Sequence, residues 1–539
     1  MEMNKNSSPY PPKEAAMEND DIFLGSPVPY KGYQDEVYDQ YGKNENNFHI
    51  AENVLKHGLH VVAASGGGKS MLLGRYIARS LLFSGTPQII IDNGSTIDNL
   101  LFEVLQTEEQ NPNVFAWLLS RIRIVDVSSA NGLVSPLPFF HQFGNESASD
   151  IASRFVDLIR RINPQLEEAQ VYGLPPLEEA AMLAGVELVK RGWQITEMEQ
   201  VLSTMNLVDE TPKSLRVRLL PFTLSESQRA FYGAAKPAID WKQVMDRGET
   251  VIFDFRTPMS TSALTLALHW IFFWLTEFIE YRGEGASPIN IIIDELFEFT
   301  SANPKVASAF VTQLTRLLQV RMRRYNTGFI IAHQEMNQFM GYPALQKLLL
   351  GMKSQIVGQV VDPEDALLLA HRLFFADPDK VKREEIRWDA YSEEVWTSAL
   401  RSYTERYAYP LDTHIVDEPM GEQYAKWAQF LMQQKPLHFV MLKLKKGGND
   451  GYYANPGRDP LGLQRLLPFN IYWIEQDKHA RFQAMRSYIN AYREALIKRD
   501  ARPIAEVLEE IAARTSSSAN SQQSKQSKTI PTSFEGTLE

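Results

Sequence analysis

Three consecutive glycines, Gly66, Gly67 and Gly68, run directly into Lys69 and Ser70 within "VVAASGGGKSMLL" (61–73). That order of residue types suits the cradling of a triphosphate. Glycines let the backbone curl until its amides face an anion, and the N-terminus of a following helix adds partial positive charge. On this reading Ser65, Gly66, Gly67, Gly68, Lys69, Ser70 and Met71 bind nucleotide. The Lys69 ammonium reaches the β- and γ-phosphates and the Ser70 hydroxyl ligates Mg²⁺. The pattern G-x-x-x-x-G-K-[ST] has glycine where this chain has Ala63, and alanine resists backbone angles that glycine reaches. A flexible turn is the competing reading of the same glycines.

Two further groups could complete such a site. "INIIIDELFEF" (289–299) is an apolar strand closing on two adjacent acids. Asp294 would hold the Mg²⁺ shell, and Glu295 would polarise the attacking water as general base. Adjacent acids are more commonly a solvated strand end, but here they follow an isoleucine run downstream of a glycine-lysine-serine loop. "TGFIIAHQ" (327–334) ends on His333 and Gln334. Parallel strands expose their carboxyl ends to the ligand crevice, which would bring Gln334 to the γ-phosphate or the water. His333 is expected to be structural.

The elements that must position these residues alternate in type. "LHVVAAS", a helix over 70–83, "PQIIIDNGS", a helix over 97–106 and "RIRIVDVS" follow one another. This βαβαβ order with continuous Ile and Val runs predicts a parallel sheet covered on both faces. From about 147 to 233 the periodicity is helical, as in "DIASRFVDLIRRI", with no convincing strand. Strands resume at "TVIFDFR" (250–256), and the sheet continues through a helix over 305–322 and strands near 327–334 and 354–360. "PLHFVMLKLKKGGNDGYYANP" reads as a strand and a glycine-turn hairpin. The expected organisation is an extended or disordered segment 1–45, the first part of an ATPase domain 46–146, a helical insertion 147–245, the second part 246–385, a C-terminal extension 386–514 and a polar disordered tail 515–539.

Composition narrows the setting. The 539 residues are 44% hydrophobic and 22% charged, as in an ordinary soluble protein. There is no cysteine, which removes disulfide frameworks, zinc-ribbon spacings and thiol nucleophiles and fits a reducing cytoplasm. The N-terminus lacks the pattern of a secretory signal. The apolar stretch 263–275 is broken by Thr265 and His269 and falls short of the ~20 residues that cross a bilayer, so a core helix is expected. A net charge of −11 argues against a uniform coat for nucleic acid but leaves room for a local basic channel.

With these residues in hand, the chain over roughly 45–375 resembles the HerA-FtsK superfamily of RecA-like DNA-pumping ATPases, and within it the motors of type IV secretion and conjugation. The resemblance rests on "IIIDNGSTIDNLL" (89–101), on the helical insertion separating Lys69 from Asp294, and on "VRMRRYNTGFIIAHQEMNQF" (320–339). "QIVGQVVDPEDALLLAHRL" (355–373) also looks like the segment that follows in that family. The implied fold is α/β, a RecA-like P-loop NTPase sheet with helices on both faces and an inserted all-α subdomain. His333 stands where the family usually has Thr. The resemblance implies ATP and Mg²⁺ as cofactors and a homo-oligomer, a hexamer with ATP between neighbours. Arg323 and Arg324, with Arg321 behind them, would complete the next subunit's site; arginines at a helix end also serve its dipole alone. Only some 60 residues precede the loop, so the large N-terminal domain, barrel or membrane anchor of such relatives is not expected.

The leading expectation is a cytoplasmic ATPase translocating DNA in conjugation or mobile-element transfer, gripping phosphates without reading bases. Lys347 and Lys353 are channel candidates. A place at the inner membrane beside a secretion or transfer complex is compatible with this. The rivals are a motor for protein export or pilus assembly, a HerA-like DNA-processing helicase, and a scaffold that binds ATP to assemble a ring.

Overall fold

The structure, a computed structural model, describes residues 21–27, 48–129, 131–162, 176–205, 210–257, 259–296, 311–312, 314–315, 317–318, 324–374, 376, 381–397, 402–444, 464–470 and 472–526. Before the helical insertion come β1 (Asp21–Pro27), β2 (Phe48–Ala51), β3 (Leu59–Val62), β4 (Gln88–Asp92), β5 (Ile122–Asp126) and the short β6 (Leu133–Val134). After it come β7 (Thr250–Asp254), β8 (Ile289–Ile293), β9 (Thr327–His333) and β10 (Ser354–Val357). The C-terminal part adds β11 (Val381–Trp396), β12 (Ser402–Asp417), β13 (His438–Leu444), β14 (Gln464–Asn470) and β15 (Arg502–Pro503).

Eleven of these strands form one sheet in the order β2-β1-β14-β13-β10-β3-β9-β8-β4-β7-β5. From β10 to β5 every pairing is parallel. From β13 to β2 the strands add antiparallel. The parallel part is apolar on both sides because both sides are covered. Along β4, Ile89 and Ile91 enter one core while Ile90 enters the other. Along β9, Phe329 and Ile331 alternate with Ile330 and Ala332 in the same way. One face carries the helical insertion and the helix Thr261–Arg282. The other carries the helix that follows the glycine loop, the helix Thr96–Leu105 and part of the helix Tyr472–Asp500. This is the expected RecA-like α/β P-loop architecture.

Between β6 and β7 the regular elements among the described residues are helices, including Ala148–Ile162, Pro176–Arg191, Glu210–Thr223 and Trp241–Arg247. Local chemistry sets their ends. The Ser225 side chain accepts from the Gln228 amide, and Asp240 accepts from the amides of Lys242 and Gln243. Each supplies an orphan donor of the first turn with an acceptor. Trp270, Phe272 and Trp274 of the Thr261–Arg282 helix are buried in the core, and among the described residues no helix is long and apolar enough to cross a membrane.

Three expectations are revised. β13 pairs with β14, residue for residue from His438–Asn470 to Leu444–Gln464, so the returning strand lies beyond the glycine-turn segment rather than inside it; that segment is outside the described residues. Both strands join the main sheet, so this part of the 386–514 extension is continuous with the sheet of the 46–146 and 246–385 parts. In the 1–45 segment, read as extended or disordered, Asp21–Pro27 is extended, as a sheet strand between β14 and β2. The final helix runs Ile504–Gln526, so the tail read as disordered from 515 begins inside a helix; residues 527–539 lie outside the described ones. The expected helix over 305–322 falls mostly outside them as well.

Candidate functional site

β9 lies between β3 and β8, and all three run parallel. Their carboxyl ends therefore open on one crevice. β3 delivers the glycine loop, β8 delivers Asp294 and Glu295, and β9 delivers His333 and Gln334. Residues far apart in sequence meet here because three adjacent strands end together.

The loop turns on Gly66 at φ 75° and Gly68 at φ 100°. Gly68 stands directly before the helical run Lys69–Met71, Leu72–Ala78 and Arg79–Ser84, the middle part of which is π-wound. Ser65 and Gly66 are exposed at the crest, whereas the Met71 side chain packs against the core beneath. Ala63 is not in the left-handed region, so the missing first glycine imposes no backbone cost. Its methyl is accommodated by glycines: a Cβ on Gly67 would lie 3.1 Å from the Ala63 Cβ, and one on Gly358 2.8 Å from it. Two contacts steady the loop from outside it. The Ala64 amide donates to the Gln359 carbonyl at 2.8 Å, and the Leu437 amide donates to the Gly67 carbonyl at 3.1 Å. Leu437 holds a left-handed φ of 66°, a strained conformation for leucine.

Lys69 is 4% exposed. Its Nζ donates to the carbonyls of Ala63 (2.7 Å) and Ala64 (3.3 Å) and lies 3.4 Å from Glu295 Oε1. Gln334 Nε2 donates to both Glu295 oxygens, at 3.2 and 3.1 Å. Glu295 itself sits at φ 58°, a left-handed conformation that strains a residue with a side chain.

Asp294 is buried. Its Oδ2 accepts from Ser70 Oγ at 2.7 Å and from Thr96 Oγ1 at 2.8 Å. Its Oδ1 has no hydrogen-bond partner among the described residues. Burial first, opposed by those two hydroxyls and reinforced by Glu295, raises the Asp294 pKa. Asp92, at the end of β4, accepts from the amides of Gly94 (2.9 Å) and Ile97 (2.8 Å). Burial and, secondarily, the charge of Asp294 push Asp92 up to about 7. Gly94 closes the arrangement, because a Cβ there would lie 2.7 Å from Asp294 Oδ2 and 3.2 Å from Ser70 Oγ. A divalent cation suits this donor set. The hard oxygens of Ser70 and Asp294 are the type Mg²⁺ takes, and the unpartnered Oδ1 and the raised carboxyl pKa mark negative charge short of a counterion.

His333 proves structural in its contacts. Its Nε2 lies 2.7 Å from His60 Nε2, both rings are fully buried, and its Nδ1 lies 3.1 Å from the Glu335 carbonyl. A carbonyl only accepts, so His333 carries its proton on Nδ1 and His60 donates from Nε2. Burial lowers both pKa values, His60 to about 3. This neutral pair ties β3 to β9 just behind the loop. His60, Thr96, Gly94, Gly358 and Leu437 were not singled out by sequence as contributors to the loop's geometry. Gly94 and Thr96 lie in the quoted stretch 89–101, and His60 stands out as a polar residue inside an apolar strand.

Arg324 is not brought to the crevice within the chain. It precedes β9, is exposed, and pairs with Glu284 ahead of β8. The seven residues of β9 span about 20 Å, so Arg324 stands beyond the opposite end of the strand from Gln334. Arg323 and Arg321 lie outside the described residues. Lys347 is exposed on the helix Pro343–Gly351, and Lys353 is half-buried just before β10.

A glycine loop on β3, an acid pair on β8 and an intervening β9 ending in glutamine define the class as a RecA-like P-loop protein. No family model matches the chain, and no curated protein matches it. Among solved structures, it is similar to the bacterial conjugative coupling protein TrwBdeltaN70, at 14% identity over 85% of this chain and 95% of that one, TM-score 0.46. The plasmid coupling protein TrwB in complex with ADP and Mg²⁺ matches at 14% identity over 85% and 96%, TM-score 0.45. VirB4 of Thermoanaerobacter pseudethanolicus matches at 15% identity over 68% and 90%, TM-score 0.42.

Proposed function

We propose that the chain hydrolyses ATP at this crevice and uses the energy to move DNA, as a hexameric motor of the conjugative or type IV secretion kind. The observation that carries the hydrolytic reading is the chain of contacts from Lys69 to Glu295 to Gln334, with Ser70 on Asp294 beside it. Lys69 leaves its loop carbonyls for the phosphates. Glu295, released from Lys69, takes the proton of an attacking water that Gln334 helps to orient. Ser70 and Asp294 would hold Mg²⁺, which neutralises charge on the transferring phosphoryl when bound. Gln334 ties the state of Glu295 to the end of β9, which gives hydrolysis a route into the sheet.

Arg324 would serve a neighbour. Head-to-tail rings set one protomer's site against a different face of the next, and Arg324 is well away from its own site. An arginine supplied across such an interface accelerates phosphoryl transfer roughly a thousandfold or more. The protein would work in the cytoplasm or peripherally at the inner membrane, with a transfer complex as partner. The net charge of −11 favours protein cargo as the second reading. ATPase rate with and without single- and double-stranded DNA, measured alongside particle mass, tests the proposal. Stimulation by DNA in a ring-sized particle is expected. Turnover unaffected by any DNA would defeat the DNA reading, and full turnover by Lys69→Ala would defeat the site.

A further inference from the structure

β11 and β12 pair with one another from Val381–Asp417 to Trp396–Ser402 and form a sheet of their own, separate from the main one. Sixteen residues per strand make an arm about 50 Å long. A lone two-stranded ladder is marginally stable in water, because it has no layer to bury its side chains against. This one carries large apolar groups in the open: Trp388 is 62% exposed, Tyr391 52% and Trp396 63%. Tyr391 stands opposite Tyr407, with their rings stacked at 5.4 Å, and opposite pairs share a face. The next pair along that face is Glu393 opposite Glu405. Like charges facing each other across a ladder cost stability, which a cationic partner would relieve.

The helix Glu210–Thr223 shows a complementary surface. It buries Leu215, Leu219 and Phe222 and leaves Val217 70% and Leu220 47% exposed, with Leu224 just past its end 72% exposed. Positions 213, 217, 220 and 224 share one helix face, so Lys213 heads this apolar stripe, and Arg216 borders it, in an exposed ion pair with Glu199 at 2.8 Å. A tyrosine face with two facing acids, of which Glu405 also accepts from the Tyr407 hydroxyl at 2.5 Å, and a leucine-valine stripe headed by Lys213 are thus both exposed on the same chain.

We propose that the arm docks on the Glu210–Thr223 face of a second copy of this chain. The two patches differ, so the contact is heterologous, and repetition of a heterologous contact builds a ring when its rotation closes. The contact rests on the motor reading only for the ring's purpose; its own basis is the matched pair of exposed surfaces. It adds to that reading a physical clamp between the subunits, remote from the nucleotide.

The chain has no cysteine, so introduced thiols report without background. Full-length Tyr391→Cys protein is mixed with full-length Leu220→Cys protein and treated with a short bis-maleimide. Cross-linked pairs containing one of each are expected, beyond those formed when Tyr391→Cys is mixed with Gly351→Cys. The paired reversals Glu393→Lys/Glu405→Lys and Lys213→Glu/Arg216→Glu should each raise the concentration needed for assembly about tenfold or more, from like-charge contacts. Combining all four should restore it. Fluorescent-nucleotide binding, measured on each variant, should not change. No specific cross-link, or no restoration in the combined variant, overturns the contact between copies, as does cross-linking of the arm to a foreign protein only. Loss of nucleotide binding in the wild-type chain would strike the motor reading instead, since neither patch lies in the crevice.

Discussion

Gly94→Ala is the sharpest perturbation of the proposed metal position, because a single methyl reaches it and little else. Gly94 is not in the left-handed region, so alanine meets no backbone penalty. Its Cβ would lie 2.7 Å from Asp294 Oδ2 and 3.2 Å from Ser70 Oγ, two oxygens that are themselves 2.7 Å apart. Real Cβ atoms do not approach within 3.0 Å, so Asp294 must move, and it is buried with Thr96 on the same oxygen. Overpacking of this kind costs about 1–3 kcal/mol. If that cost falls on the cation-binding geometry, Mg²⁺-dependent nucleotide affinity drops roughly 5- to 150-fold. Affinity measured in chelator should change far less, because the glycine loop and Lys69 are not displaced. Titration of a fluorescent ADP with and without Mg²⁺ separates the two, with Gly341→Ala, which meets nothing within 4 Å, as control. An unchanged Mg²⁺ contribution in folded Gly94→Ala protein would refute the assignment of Ser70 and Asp294 to the metal.

Three other outcomes are expected. Glu295→Gln should retain nucleotide binding but lose about 10²- to 10⁴-fold in turnover, whereas Glu295→Gly, relieving φ 58°, should also gain about 1 kcal/mol of stability; calorimetry and phosphate release check both. Arg75 is buried against Glu475, donates to Asn99 at 2.7 Å, and lies over the rings of Phe102 and Phe482, 4.5 and 4.6 Å from their centroids. Glu475→Ala should therefore cost about 3–5 kcal/mol and free the Tyr472–Asp500 helix to hydrogen exchange, while Arg75→Met/Glu475→Leu should cost much less. His141 is held neutral down to about 4, by burial first and then by Arg154. The unfolded chain takes that proton from about 6.5 downward, so stability is full above 6.5 and falls as pH drops toward 4, by up to about 3 kcal/mol from this residue. His141→Gln should flatten that part of the stability–pH profile.

The crevice was legible in sequence where chemistry is local. A glycine-lysine-serine run, an isoleucine strand closing on Asp294 and Glu295, and a strand closing on Gln334 each announce a strand end, and parallel order brings the ends together. The supports were illegible because they are long-range. Nothing near Leu437 marks it as a neighbour of Gly67, and Gly358 gives no sign that it makes room for Ala63. The His60–His333 pair needs the register of β3 against β9, which no single strand encodes. β13 and β14 were half-read because the segment joining them is long. The arm was missed for a different reason. Both of its faces mix aromatic and charged residues, so it lacks the one-sided alternation that marks a strand packed on a core, and that same lack leaves its surface free for a partner.

The position of Arg324 limits how it can take part in the proposed turnover. β9 carries Gln334 at one end and, just before the other, Arg324, about 20 Å away along a strand that is buried throughout. A fully buried strand in the middle of a sheet does not fold back on itself. Domain closure within one chain therefore cannot bring Arg324 to the phosphates held by Lys69. If Arg324 contributes to turnover, it does so on another protomer's nucleotide. Mixtures of Arg324→Ala with Glu295→Gln subunits should then regain turnover at those interfaces where an intact Glu295 meets an intact Arg324. Additive inactivity at every mixing ratio would return Arg324 to a surface ion pair with Glu284.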